Sequence, residues 1–213
     1  VLAVRGKVLP STLESVRLGA IYEDGSIMMG ESCIPQRDKR IKHVFLEPAS
    51  SRALPEAIEA IYQADVVVIG PGSLYTSIIP NLIIPGFAEA LANTSALRIY
   101  VCNVMTQPGE TDHYTASDHV DHLLAHLDEE NVLDYVVVNR ARISAAQTRK
   151  YALEGAHPVQ ADVTGIVKRG IQVHQSDLLD QMDLVRHDSQ KLAAEIMHLA
   201  AIHGKHKNGE RAV

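Results

Sequence analysis

The chain has 213 residues, 46% apolar and 22% charged, enough for one sizeable α/β domain with its own core. A net charge of -6 and a pI near 6.0 exclude a basic nucleic-acid footprint. No apolar run approaches the ~20 residues that span a bilayer, and no signal-peptide pattern opens the chain, so the expectation is a cytoplasmic protein with no membrane span.

The first residues, VLAVRGKVLPS, lie inside an apolar run and lack a methionine, which predicts a preceding segment. Val16 to Tyr22 is rich in strand formers, and Asp24-Gly25 separates it from Ser26 to Met29, a hairpin signal. IKHVFLEP reads as a further strand ended by Pro48. A polar, basic link from Gln36 to Arg40 precedes it.

From Leu54 the rhythm changes. Pro55 suits a first helical turn, and Ala57, Ile58, Ile61 and Tyr62 form an apolar stripe at helical spacing. Val66 to Ile69 reads as a buried strand, PGFAEALAN as a short helix and LRIYVCNV as a strand. YTASDHVDHLLAHL is helical, LDYVVVN a strand, and SAAQTRKYALEG a helix closed by Gly155. Alternating strands and helices predict an α/β, Rossmann-like, mainly parallel sheet with helices on both faces, beside the N-terminal hairpin region. LVRHDSQKLAAEIMHLA is an amphipathic helix capped by Asp188 or Ser189. The chain reads as one domain over residues 1–203, with a polar, disordered tail over residues 204–213.

Ligands of open parallel sheets bind beyond the carboxyl ends of the strands. Three such ends are polar here. After Ile69 come Gly70, Pro71, Gly72 and Ser73, with Thr76 and Ser77 nearby. Bare glycine backbone and hydroxyls suit a phosphate, and a tight strand-to-helix turn capped by Ser73 gives the same pattern. After Val101 comes CNVMTQPGETDHYTASD, a long loop with Thr106, Gln107, Thr111 and Asp112, a length that points to function. Thr115 or Ser117 caps the next helix, with Asp118 near its first turn. The third end is Asn139-Arg140.

His119, His122 and His126 fall within ~60° on one helix face. Without an HExxH pattern they read as a solvated flank beside the core stripe, not a zinc site. Cys33 and Cys102 stand alone, without CxxC spacing, and read as reduced thiols. Arg186 precedes the last helix, where it is either a surface ion pair or a clamp on phosphate. Asp112 is a candidate general base, a single carboxylate without a visible partner.

RGKVLPST, IGPGSLYTSIIPN, YVCNVMTQPGETD, YTASDHV and VRHD together resemble the bacterial gluconeogenesis factor family. That family is related to the 2-phospho-L-lactate transferases of deazaflavin coenzyme biosynthesis. The resemblance runs from Arg5 to about Leu199. It implies a Rossmann-like cytoplasmic protein that binds a UDP-sugar or other nucleotide-type ligand and supports growth and cell shape on gluconeogenic carbon. The alternative it implies is a transferase moving a phospho-organic-acid group from a nucleoside diphosphate carrier. Carried over by motif, Gly70, Pro71, Gly72 and Ser73 approach phosphate, Asn103, Thr106 and Gln107 line the cleft, and Arg186 touches the nucleotide sugar. No cofactor is assigned, with room for a divalent cation accompanying the nucleotide, and a homo-oligomer stays open. Two departures stand out. The family's N-terminal GGGTG-type loop is absent, and His113 stands where glycine is expected.

Overall fold

The structure, a computed structural model, describes residues 6–36, 38–180 and 184–210, with residues 205–210 by backbone alone. The apolar opening Val1–Val4 and Arg5, where the resemblance starts, lie outside the described residues, as does Arg37 in the basic link.

Strand β1 (Arg17–Tyr22) is central in a three-stranded antiparallel sheet between β2 (Ile27–Met29) and β3 (Ile41–Glu47). The β1–β2 turn forms at the expected place. Asp24 Oδ1 accepts from Ser26 N at 2.8 Å, and Gly25 takes φ 82°, a left-handed value that glycine adopts freely. The inward residues of β1 and β3, among them Ala20, Tyr22, Ile41 and Val44, are buried.

The chain then passes through α1 (Pro55–Gln63) into β4 (Val66–Ile69). A wide π-type turn, Leu74–Ile78, leads to the short α2 (Ile79–Leu82) and to α3 (Phe87–Asn93). There follow β5 (Leu97–Val101), α4 (Ala116–Leu124), β6 (Tyr135–Asn139) and α5 (Ala145–Ala152). Last come α6 (Val163–Val167), β7 (Gln172–Ser176) and α7 (Ser189–Glu210). Strands β4 to β7 form a parallel sheet in the order β4-β5-β6-β7.

Strand periodicity explains the two layers around this sheet. Leu97, Ile99 and Val101 point to one face and pack with Leu192 and Leu199 of α7. Tyr100 and Cys102 point to the other and join Val120 and Leu123 of α4 and the inner face of the antiparallel sheet. Helices therefore cover both faces, as alternating elements require. Both cysteines are free thiols, Cys33 exposed and Cys102 buried.

Three findings depart from the sequence reading. Helix α7 continues to Glu210, into the segment read as a disordered tail, and residues 211–213 lie outside the described residues. Elements α6 and β7 carry no apolar run that announces them. The histidines on and just after α4 are not a solvated flank: His119 and His126 are 0% and 8% exposed. For His126 the reason is a hydrogen bond across the layers. Strand β3 is an edge, and Val44 N on it donates to His126 Nε2 at 3.0 Å, so the imidazole satisfies an otherwise unpaired strand amide.

Candidate functional site

Strand β4 delivers the backbone to the carboxyl edge of the parallel sheet, where Gly70 turns it with φ 83°. A Cβ on Gly70 would lie 3.1 Å from Ile78 Cδ1 and 3.3 Å from Val101 O, so the fold itself demands glycine there. Gly72 is different. It has no left-handed φ, and a Cβ on it would meet its nearest neighbour, Ser77 Cβ, at an ordinary 3.5 Å. Packing within the protein therefore does not account for the missing side chain at Gly72.

Pro71 separates these glycines, and the loop they form is held by the next strand's loop. Asn103 Nδ2 donates to Gly72 O at 2.9 Å, and Gln107 Nε2 donates to Ser73 Oγ at 2.7 Å. Ser73 O in turn accepts from both Ser77 N and Ile78 N at 2.9 Å, which sets the wide turn. Among the described residues the N–H groups of Gly72, Ser73 and Leu74 donate to no protein acceptor. Consecutive amides without a protein acceptor beside a glycine are donors open to a ligand.

The turn that follows these amides is held by Glu110, 7% exposed. Its Oε1 accepts from Thr76 Oγ1 at 2.9 Å and its Oε2 from Tyr75 N at 3.3 Å. Burial raises the Glu110 pKa, and the hydrogen bonds from Thr76 and Tyr75 oppose the rise. Thr76 is thereby committed to an internal carboxylate. Tyr75 is fully buried, with its hydroxyl 2.8 Å from both Tyr114 Oη and His122 Nδ1. The turn after Ser73 is thus tied to α4 and to the segment before it. That segment ends in a capping box, in which Thr115 and Asp118 satisfy each other's backbone amides.

The structure brings together Gly70, Pro71, Gly72, Ser73, Asn103 and Gln107 around one loop, with Thr76 turned to Glu110. The other candidates have separate tasks. Thr106 N donates to His157 O at 2.7 Å and its Oγ1 accepts from His157 N at 2.9 Å, stitching two loops together. Asp112 Oδ2 accepts from Gly109 N at 2.7 Å, so this candidate base closes the Pro108-Gly109 turn. Arg186 is paired with Asp180 at 3.2 Å, its side chain 58% exposed.

Sequence reasoning passed over Glu110, Tyr75 and His187. A lone acid between Gly109 and Thr111 has no spacing signal, and neither has a tyrosine in a polar-looking cluster. His187 belongs to the VRHD motif that singled out Arg186. It is placed beside the Cys102 backbone at the carboxyl end of β5, and burial lowers its pKa, with the Cys102 hydrogen bond opposing. Its Nε2 and Gln107 Oε1 are buried without a hydrogen-bond partner among the described residues. Unpaired buried polar atoms at the carboxyl edge are groups that a ligand can satisfy. Among the described residues no three His, Cys, Asp or Glu side chains converge on a metal-sized space. No single helix among them is long and apolar enough to cross a membrane.

His113, where the resemblance places glycine, has φ 64°, the left-handed region that glycine favours.

Comparison with known proteins gives a consistent picture. The gluconeogenesis factor of Bacillus subtilis (strain 168) is 46% identical over 200 residues, which are 93% of this chain and 63% of that relative. The gluconeogenesis factor of Halalkalibacterium halodurans is 46% identical over 198 residues, 92% of this chain and 61% of the relative. A crystal structure of a UPF0052 family member from Bacillus halodurans matches with a TM-score of 0.88 at 45% identity, over 91% of this chain and 63% of that one. The chain spans less than two thirds of the length of these relatives. The family described as 2-phospho-L-lactate transferase CofD matches residues 1–179. With that match over most of its length, and with relatives named gluconeogenesis factors, this chain belongs to the CofD family.

Proposed function

We propose that the chain carries the phosphate-binding part of a cytoplasmic gluconeogenesis factor that binds a nucleotide sugar of the UDP-sugar type. In this reading the protein supports growth and cell shape on gluconeogenic carbon sources. One observation carries the proposal: the free amides of Gly72, Ser73 and Leu74 at the carboxyl edge, around a glycine that packing does not explain. A diphosphate placed there meets N–H donors at close range, and Gln107 Oε1 and His187 Nε2 are free to contact its ribose or sugar. Arg186, one residue from His187, adds a charged fork when it exchanges Asp180 for phosphate.

The second reading, transfer of a phospho-organic-acid group, draws on the family's description. The hydrogen bond from Gly109 N to Asp112 weighs against Asp112 as its base.

Calorimetric titration of the longest natural form with UDP-sugars, beside a transferase assay, separates these readings. Gly72→Val should abolish nucleotide-sugar binding. Arg186→Ala should weaken it by about 1.5–3 kcal/mol, the range for a hydrogen bond to a charged group, with the fold intact. Unchanged affinity in both variants refutes the assignment.

A further inference from the structure

Residues directly opposite one another in an antiparallel sheet point to the same side. In the three-stranded sheet, Leu18, Ala20 and Tyr22 of β1, with Val44 and Leu46 of β3, enter the hydrophobic core. Gly19 is the partner of Met29 and Phe45, and Ile21 of Ile27 and His43, so these residues share the other face. A sheet face that meets water is ordinarily polar. Here Ile21, Ile27, Met29 and Phe45 occupy it. Ile27 is 61% exposed, and among the described residues none of the four joins a hydrophobic cluster. Apolar residues gathered on an outer face mark an interaction surface.

Gly19 shapes the middle of this face. A Cβ there would collide with the Phe45 ring and the Met29 sulfur, which close over the bare backbone from the two neighbouring strands. Both side chains therefore lie along the sheet rather than stand out from it. A glycine inside a strand weakens the strand, and here it yields a level apolar surface. Beyond the row of Met29, Gly19 and Phe45 comes a row of opposite charges, Arg17 and Glu47, partners across β1 and β3. Their ion pair is loose, 3.8 Å long with side chains 65% and 63% exposed. The chain carries a net charge of -6, whereas the charges of this row cancel.

We propose that the outer face of the antiparallel sheet is the interface of a symmetric homodimer, covered by the same face of a second copy of this chain. Sheets packed face to face lie about 10 Å apart with their inner side chains interdigitated, which suits two level apolar surfaces. A two-fold axis makes the contact isologous, so each copy presents its partner with the charges it carries itself. A row of one sign would repel its own image. Arg17 and Glu47 together are self-complementary: Arg17 meets the partner's Glu47, and Glu47 meets the partner's Arg17. The free amides of Gly72, Ser73 and Leu74 take no part, so the dimer stands apart from the nucleotide reading.

Sedimentation equilibrium of the longest natural form over the micromolar range tests the interface. The mass should be that of two chains. Ile27→Lys changes an exposed residue and should fold normally, as circular dichroism reports. It should nevertheless raise the dissociation constant by about tenfold or more, the effect of losing one buried apolar side chain. Arg17→Glu alone should weaken the dimer by setting acids against acids, and Glu47→Arg alone by setting bases against bases. The double exchange, Arg17→Glu with Glu47→Arg, should restore association, which a merely weakened fold would not do. A dimer that withstands Ile27→Lys, or a double exchange that restores nothing, overturns the proposal. So does a monomer at every concentration, which would leave the face to a further segment of a longer chain or to an unlike protein.

Discussion

Glu110 accepts hydrogen bonds from Thr76 Oγ1 and from Tyr75 N, so a buried acid supports from below the turn that follows Ser73. Removing the acceptor strands both donors. Glu110→Ala should therefore cost about 1–3 kcal/mol of stability, the penalty for unsatisfied buried groups. Glu110→Gln keeps a carbonyl acceptor and should cost less. Urea unfolding of the two variants measures the difference, and equal losses would show that the charge matters rather than the hydrogen bonds.

The two loop glycines should separate fold from binding. Gly70→Ala forces a side chain into a left-handed conformation, at about 1–2 kcal/mol, and crowds Ile78. Gly72→Ala should stay within about 0.5 kcal/mol of the parent, as its Cβ meets only ordinary contacts. The same Cβ narrows the approach to the free amides, so nucleotide affinity should fall. Thermal unfolding and calorimetric titration read the two effects independently.

Acid should destabilise the protein through its buried histidines. Burial pulls the His126 pKa down from 6.5 to about 4, the His122 backbone opposing, and its Nε2 accepts Val44 N–H only when unprotonated. Between those values the unfolded chain binds a proton that the folded one does not. The contribution is therefore complete above pH 6.5 and is lost as pH falls toward about 4. Its size is on the order of 3 kcal/mol. His119, His122 and His187 shift in the same direction, whereas the raised pKa of Glu110 acts the opposite way. His126→Gln supplies an acceptor without titrating, so its stability curve should be flatter over this window in pH-dependent urea melts.

His113 is a site where substitution should stabilise. At φ 64° a glycine relieves the left-handed strain, while its greater freedom when unfolded and the lost ring contact with His157 offset part of the gain. A net gain of less than about 1 kcal/mol is expected for His113→Gly, read as a higher melting temperature. A loss would assign the larger share to the His113–His157 stack.

Most of the framework was legible because local signals agreed with tertiary placement. Pro55 opens α1, Asp24-Gly25 turns the hairpin, and the apolar run at Leu97–Val101 is buried on both faces. Strand β7, QVHQS, was not legible, because it is a strand only through its pairing with β6. His126 shows the limit of a helical wheel, which places it on one face with His119 and His122 without revealing the strand amide it meets. In the candidate site, the glycines and Gln107 stood out by type and position, and Asn103 came only from the resemblance. Glu110 did not stand out, since its role depends on a turn thirty-odd residues earlier in the chain.

The buried Tyr75 hydroxyl, held between Tyr114 and His122, has a thermodynamic consequence for recognition. With Asn103, Gln107 and Glu110 also engaged, the loop is ordered when the protein folds and not when a ligand arrives. Each side chain that need not be immobilised on association spares about 0.5–1.5 kcal/mol. Tyr114→Phe, a change that touches no ligand, would then loosen the loop and lower affinity chiefly through entropy, with the bound contacts unaltered.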